Sequence, residues 1–198
     1  MTAGVTKGDE RRTALLAALD HQLRDSTLDE INIADISRRA GVTRSAFYFY
    51  FENKASAVAA LMNEMYDESS AAADQLRGGG TPAENIEAMV RALFSTWDKH
   101  EHLFRASLDA RATSTTVREL WDSDRESFVP VVADMIETER ASGAAPAGTD
   151  ATALASVLLE LNDRMLERLA LGGPLSREQL VEAVVAVWVN TIYGRTDR

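Results

Sequence analysis

Apolar residues recur every three or four positions along almost the whole 198-residue chain, and this spacing restricts the fold most. Leu15, Leu19 and Leu23, for example, lie four residues apart and share one face of a helix. No stretch alternates apolar and polar residues with β-branched enrichment, as a half-buried strand would. The sequence therefore predicts an all-α protein of about nine helices.

Capping residues divide this pattern into segments. Asn32 and Thr43 precede two short helical stretches, and Gly41 stands between them, where a helix commonly ends with positive φ. The run Gly78-Gly79-Gly80 is the best candidate for a linker. We expect an N-terminal domain at residues 1–66 and a second domain at residues 67–198.

Charge is distributed unevenly between these segments. The formal net charge is −10, which argues against non-specific nucleic-acid binding by the whole surface. Residues 36–54, however, contain four basic side chains (Arg38, Arg39, Arg44, Lys54) and one acidic side chain, Glu52. This segment could hold a polyanion while the acidic body repels it, although Arg38 and Arg39 could equally form a solvated face.

Several classes of function find no support in the sequence. The chain contains no Cys, so thiolate metal sites and Cys nucleophiles are excluded. His100 and His102 are two residues apart and point to different faces of a helix, so they form no metal pair. We find no catalytic or phosphate-loop motif and expect no enzyme activity, cofactor or metal. No run of about 18 apolar residues predicts a membrane span, and the first twelve residues lack a secretion signal, so we expect a cytoplasmic location.

The segment around residues 32–54 has the form of a helix-turn-helix. Its second short helix carries small and polar residues at the N-terminal end (Thr43, Arg44, Ser45). Small side chains let the backbone approach base edges in the major groove, and Arg can donate two hydrogen bonds to guanine. Tyr48 offers a hydroxyl group to a phosphate. Lys54 lies in the first turn of the next helix, where its charge opposes the helix dipole, and an external phosphate would explain it.

These residues also carry a family resemblance. The order Ile33-Ala34-Asp35-Ile36, Ala40-Gly41-Val42-Thr43, Phe47 to Phe51 and Asn53-Lys54 strongly resembles the DNA-binding domain of TetR-family transcriptional regulators, over residues 8–68. The resemblance implies an all-helical homodimer with a variable ligand-binding domain, most often a repressor released by a small molecule. It also implies that six side chains face DNA: Thr43, Arg44, Ser45, Tyr48, Tyr50 and Lys54.

The C-terminal part is similar to a narrower branch of that family, through the segments 110–114, 119–121, 139–146, 161–164 and 188–194. This resemblance implies a long apolar channel with aromatic walls and one Asn. The matching positions and their neighbours on one wall are Ile86, Met89, Leu93, Trp97, Trp121, Phe128, Asn162 and Trp188. From the residues alone, most of these aromatics could be ordinary core, and Asn162 could bond a neighbouring backbone instead of a ligand.

The last helical segment is apolar around most of its circumference, so its own fold or a second subunit must cover it. A homodimer through the last two helices is the simpler expectation. Together these inferences predict a ligand-responsive regulator, a repressor, that binds double-stranded operator DNA as a dimer. An apolar small molecule would release it. The rival hypothesis is a helical small-molecule carrier whose helix-turn-helix no longer binds DNA, and a third is a helical enzyme acting on an apolar substrate.

Overall fold

The computed structural model describes residues 6–194, the side chain of Glu64 excepted, and within this range all regular structure is helical. The predicted all-α class is confirmed, with nine α-helices and one short 3-10 helix, Asp74–Arg77, among these residues. The α-helices are α1 (Lys7–Leu23), α2 (Ile33–Arg39), α3 (Arg44–Tyr50), α4 (Lys54–Ala73), α5 (Pro82–Lys99), α6 (Glu101–Thr113), α7 (Thr115–Ser142), α8 (Ala151–Ala170) and α9 (Arg177–Tyr193). The expectation on a secretion signal rests in part on residues 1–5, which lie outside the described residues.

Side-chain caps fix several helix starts, and the sequence predicted those at Asn32 and Thr43. Asn32 accepts from the backbone N–H of Ala34, and Thr43 accepts from that of Ala46. At α9, Ser176 and Gln179 form a reciprocal capping box. Gly41 has φ +67°, the left-handed conformation that ends α2 and that other residues adopt only at a cost.

Residues up to Glu64 and the segment His100–Leu120 form one compact unit. In it, α2 packs on α1 and α3, and α6 packs on α1. Leu19, Ile36, Phe47, Val58 and Phe104 are fully buried. Helix α6 belongs to this unit although it follows residue 66 in the sequence. The functional division into residues 1–66 and 67–198 stays a prediction.

The other unit comprises Met65–Lys99 and the residues from Trp121 onward. Here α5 and α8 both pack against α9. Arg91 on α5 donates through Nη1 and Nη2 to the carboxylate of Glu178 on α9, at 3.2 and 2.8 Å. Trp188 and Val90 are fully buried. None of the helices within residues 6–194 is long and apolar enough to cross a membrane.

Candidate DNA-reading helix and buried amide

The short helix α3 presents one buried and one exposed face. Phe47 is fully buried, and its ring lies 5.5 Å from that of Phe51. These two rings anchor the helix to its own unit. Of the predicted DNA-facing residues, Thr43, Arg44, Ser45 and Tyr48 are exposed, whereas Tyr50 is half-buried.

The exposed polar groups of α3 already contact one another. Arg44 Nη2 donates to the Tyr48 hydroxyl at 3.2 Å, and the guanidinium lies 5.7 Å from the centre of the Tyr48 ring. The hydroxyls of Thr43 and Ser45 lie 2.9 Å apart. Arg44 is therefore held along the helix by Tyr48, with its remaining donors directed to solvent.

Lys54 occupies a different environment from the one the sequence suggested. Its ammonium donates to the backbone carbonyls of Leu28, Asp29 and Ile31, at 2.5, 3.3 and 2.8 Å. These carbonyls belong to the connection between α1 and α2. These three acceptors stabilise the cation at the N-terminus of α4, so a DNA phosphate is not needed to explain its position.

Arg38 is also engaged in part. Its guanidinium lies 2.5 Å from the Asp35 carboxylate, one turn earlier on α2. Because both side chains are exposed, solvent screens this pair and leaves the local positive charge of the segment available to a polyanion.

In the other unit, the predicted channel residues lie on four helices. Ile86, Met89 and Trp97 are buried on α5, and Leu93 is half-buried beside them. Phe128 on α7 is half-buried, with its ring 5.6 Å from that of Tyr66. The structure places Trp121 on α7, Asn162 on α8 and Trp188 on α9, all three buried.

Asn162 and Trp188 are brought into direct contact. The indole Nε1 of Trp188 donates to Asn162 Oδ1 at 3.0 Å, and Asn162 is only 2% exposed. The amide nitrogen Nδ2 of Asn162 is buried and has no acceptor among the described residues. The Asn162 oxygen therefore accepts from the side chain of Trp188 and not from a neighbouring backbone. The Asn162 nitrogen is a buried donor without an acceptor among the described residues.

A polar network that the sequence did not reveal surrounds Trp121. Its indole Nε1 donates to Asp163 Oδ2 at 2.9 Å, and Arg125 approaches the same oxygen at 3.4 Å. Burial raises the pKa of the Asp163 carboxyl above its ordinary value, although the hydrogen bond from Trp121 and the charge of Arg125 oppose the shift. Trp121 is thus oriented by an acidic group on α8 next to Asn162.

His102 also has a partner. Its Nε2 lies 2.8 Å from Asp20 Oδ1 and joins α6 to α1. In the described part of the chain no three His, Asp or Glu side chains are grouped as a metal site requires.

Comparison with known proteins agrees with these features. The family described as "Bacterial regulatory proteins, tetR family" matches residues 15–61, and "Transcriptional regulator EthR, C-terminal domain" matches residues 86–194. The HTH-type transcriptional regulator EthR of Mycobacterium tuberculosis is 33% identical over 94% of this chain and 89% of its own length. EthR of Mycolicibacterium smegmatis is 29% identical over 94% of this chain and 88% of its own.

Among solved structures, FadR of Bacillus subtilis, crystallised with stearoyl-CoA, has a TM-score of 0.70. The two chains are 15% identical, and the match covers 92% of this chain and 98% of the FadR chain. This likeness shows the fold alone. The matched families consist of transcriptional regulators rather than enzymes, and such regulators bind operator DNA and small molecules, typically as dimers. With its helix-turn-helix at residues 32–50, followed in the sequence by an EthR-type domain, the chain belongs to the TetR family of helix-turn-helix transcriptional regulators, as its sequence predicted.

Proposed function

We propose that this regulator is a repressor that binds a pseudo-palindromic operator as a homodimer and leaves it when an apolar effector binds. The observation that carries the DNA part is the exposed face of α3. There Arg44, Ser45 and Tyr48 are exposed on a helix anchored by the buried Phe47. Since the operator is part of the genome, we also place its action in the bacterial cytoplasm.

Each α3 would enter a major groove at its N-terminal end. In a two-fold dimer the two recognition helices would lie about 34–36 Å apart, one helical turn of DNA. Arg44 would read guanine, Thr43 and Ser45 would contact bases or phosphates, and the Tyr48 and Tyr50 hydroxyls would contact the backbone. Lys54 would exchange its longest hydrogen bond, 3.3 Å to Asp29, for a phosphate oxygen.

The effector would occupy the region of Asn162. A buried amide N–H without an acceptor costs free energy, and a ligand carbonyl would remove that cost. The other residues of the predicted wall are apolar or aromatic, namely Ile86, Met89, Leu93, Trp97, Trp121, Phe128 and Trp188. This combination supports an apolar effector with one hydrogen-bond acceptor.

The dimer would form through α8 and α9. Ala183, Ala186, Val187 and Asn190 are exposed at spacings of three and four residues on α9, so they form one uncharged stripe. On α8, Val157 is 65% exposed. A surface of this kind is suited to a second copy of the same chain.

Release would follow from a difference in effector affinity between two dimer geometries. If the effector favours a spacing of the α3 helices that does not match the operator, it shifts the population away from DNA. A coupling of about 1–3 kcal/mol between the two sites is typical of allosteric proteins.

The test of DNA binding uses the duplex upstream of the chain's own gene in a gel-shift assay at several salt concentrations. Wild type should bind this duplex more tightly than a scrambled one. Arg44→Ala should relax the preference, whereas Lys54→Met should weaken binding to all duplexes similarly and lower the salt slope by about one. If wild type binds no promoter fragment, the carrier hypothesis replaces the regulator.

The test of the effector site compares 2-undecanone with undecane, which lacks the carbonyl. The ketone should raise the Tm of wild type more than the alkane does. In Asn162→Leu the two compounds should act alike. Equal effects of both compounds on wild type would show that Asn162 Nδ2 is not the ligand donor.

A further inference from the structure

Phe49 is the most exposed of the large apolar side chains, at 80%, and it lies on α3. Single exposed apolar residues are common and by themselves uninformative. Here, however, an aromatic ring stands in solvent on a helix of only seven residues, beside side chains proposed to read DNA.

The helix geometry places Phe49 on the outermost face. It lies two residues from Phe47, which is about 200° around the helix axis and therefore opposite the buried ring. Ser45 lies four residues before Phe49 and shares that face. The Phe49 ring also packs edge-on against Tyr50, with their centres 5.0 Å apart, and this contact restricts its orientation.

The chemistry of a phenyl ring restricts what it can recognise there. It neither donates nor accepts a conventional hydrogen bond, so it cannot distinguish the polar edges of the bases. The C5-methyl group of thymine is the apolar group that the major groove displays, and Phe is among the side chains that contact it. The guanidinium groups of Arg38, Arg39 and Arg44 in the same segment favour a polyanion as the occupant of this surface.

We propose that Phe49 is a specificity-determining residue that packs on a thymine methyl group in each half-site of the operator. The proposal rests on the proposed function, because it requires α3 to lie in the major groove. It assigns to Phe49 a preference for thymine over uracil at one base position, because these two bases differ only in the C5-methyl group.

The experiment removes only the methyl groups. A duplex selected by wild type from a random library is amplified once with dTTP and once with dUTP, and Kd is measured by fluorescence anisotropy for each product. Wild type should lose roughly four-fold in affinity per methyl contact, and about fifteen-fold for two half-sites, on the uracil duplex. Phe49→Ala should bind the thymine duplex more weakly by a similar factor and lose little more on the uracil duplex.

Two further variants make the result specific. Phe49→Leu keeps an apolar side chain and should keep part of the methyl dependence. Leu171→Ala removes a comparably exposed apolar side chain, 67% exposed at the end of α8, and should match wild type on both duplexes. The Tm of Phe49→Ala should equal that of wild type, because little of its surface is buried.

If wild type and Phe49→Ala lost the same factor in affinity on going from the thymine to the uracil duplex, the proposal would be overturned, because other side chains would then read the methyl groups. Unchanged binding of Phe49→Ala to the thymine duplex would also overturn it. In both cases wild type still selects DNA, so the proposed function stands. Failure of wild type to select any duplex would instead refute the proposed function itself.

Discussion

Lys54 illustrates, at the residue scale, how a side chain at an electrostatically poor position can be stabilised from within the chain. A cation in the first turn of α4 faces the positive end of the helix dipole. Its three ammonium hydrogens are nevertheless directed at the carbonyls of Leu28, Asp29 and Ile31. Those carbonyls belong to the connection between α1 and α2 and would otherwise depend on water. Lys54 therefore fixes this connection relative to α4.

Lys54→Met should lower the free energy of unfolding by about 1–3 kcal/mol, because hydrogen bonds to a charged group are lost and their acceptors remain. Urea denaturation at neutral pH measures this change. Lys7→Met is the matched control, since Lys7 also begins a helix but is exposed. We expect that control to stay within about 0.5 kcal/mol of wild type. Equal stabilities of the two variants would show that the three hydrogen bonds contribute nothing.

The second prediction concerns Asp163 and the pH dependence of the free energy of unfolding. Burial raises its pKa, so between pH 3.8 and the raised value the folded state holds more protons than the unfolded state. The contribution of Asp163 to stability is therefore largest at low pH and is lost as pH rises through the folded pKa. Asp163→Asn keeps an oxygen acceptor for Trp121 but does not titrate.

The stability of wild type relative to Asp163→Asn should accordingly fall as pH rises from 4 to 7, as measured by urea denaturation at each pH. Asp67→Asn, at an exposed position on α4, is the control and should show a much smaller trend. A difference that grows with pH would mean that the attraction to Arg125 outweighs burial.

At the element scale, α6 is held on α1 by the pair of His102 and Asp20. Their side chains are 12% and 27% exposed. Burial opposes ionisation of Asp20, but hydrogen bonds from His102 and Arg24 outweigh it and hold its pKa below the ordinary value. The ionised carboxylate thus favours the folded state.

Asp20→Asn should lower the free energy of unfolding by about 1–2 kcal/mol above pH 4, where the unfolded carboxyl is also ionised. This contribution disappears as pH falls through the folded pKa, so wild type and variant should converge in acid. Urea denaturation from pH 3 to pH 7 follows the convergence. Asp25→Asn, exposed just after α1, should parallel wild type throughout. A constant gap between wild type and Asp20→Asn at every pH would contradict the charged role of Asp20.

The elements also show which features could be predicted. The caps at Asn32 and Thr43 act on residues two or three positions away, so the sequence predicted them correctly. The partners of Lys54 and Asn162 lie 23 to 26 residues away and depend on how helices pack. Periodicity shows that a helix has an apolar face but not which helix covers it, and for this reason the packing of α6 on α1 could not be predicted from the sequence. Phe49 was missed because an aromatic residue beside Phe47 and Phe51 resembles core until its angular position on α3 is considered.

At the scale of the whole molecule, an uncharged surface on α9 stands out in an acidic chain. The chain has a net charge of −10, yet α9 carries no charged side chain from Ala183 to Tyr193. Its exposed stripe consists of uncharged residues, with Val187 43% exposed. In a two-fold dimer the same stripe would be used by both subunits, so one substitution would change the interface twice.

Val187→Glu should therefore convert the proposed dimer to a monomer, because it would bury two like charges close together without partners. Light scattering coupled to size-exclusion chromatography measures the mass, and Ala88→Glu, on the exposed side of α5, is the matched control and should remain dimeric. Loss of the dimer should also weaken operator binding by at least 100-fold, because each molecule then offers a single α3 and the advantage of linked half-sites disappears. A Val187→Glu protein that stays dimeric and binds DNA normally would place the interface elsewhere than on α9.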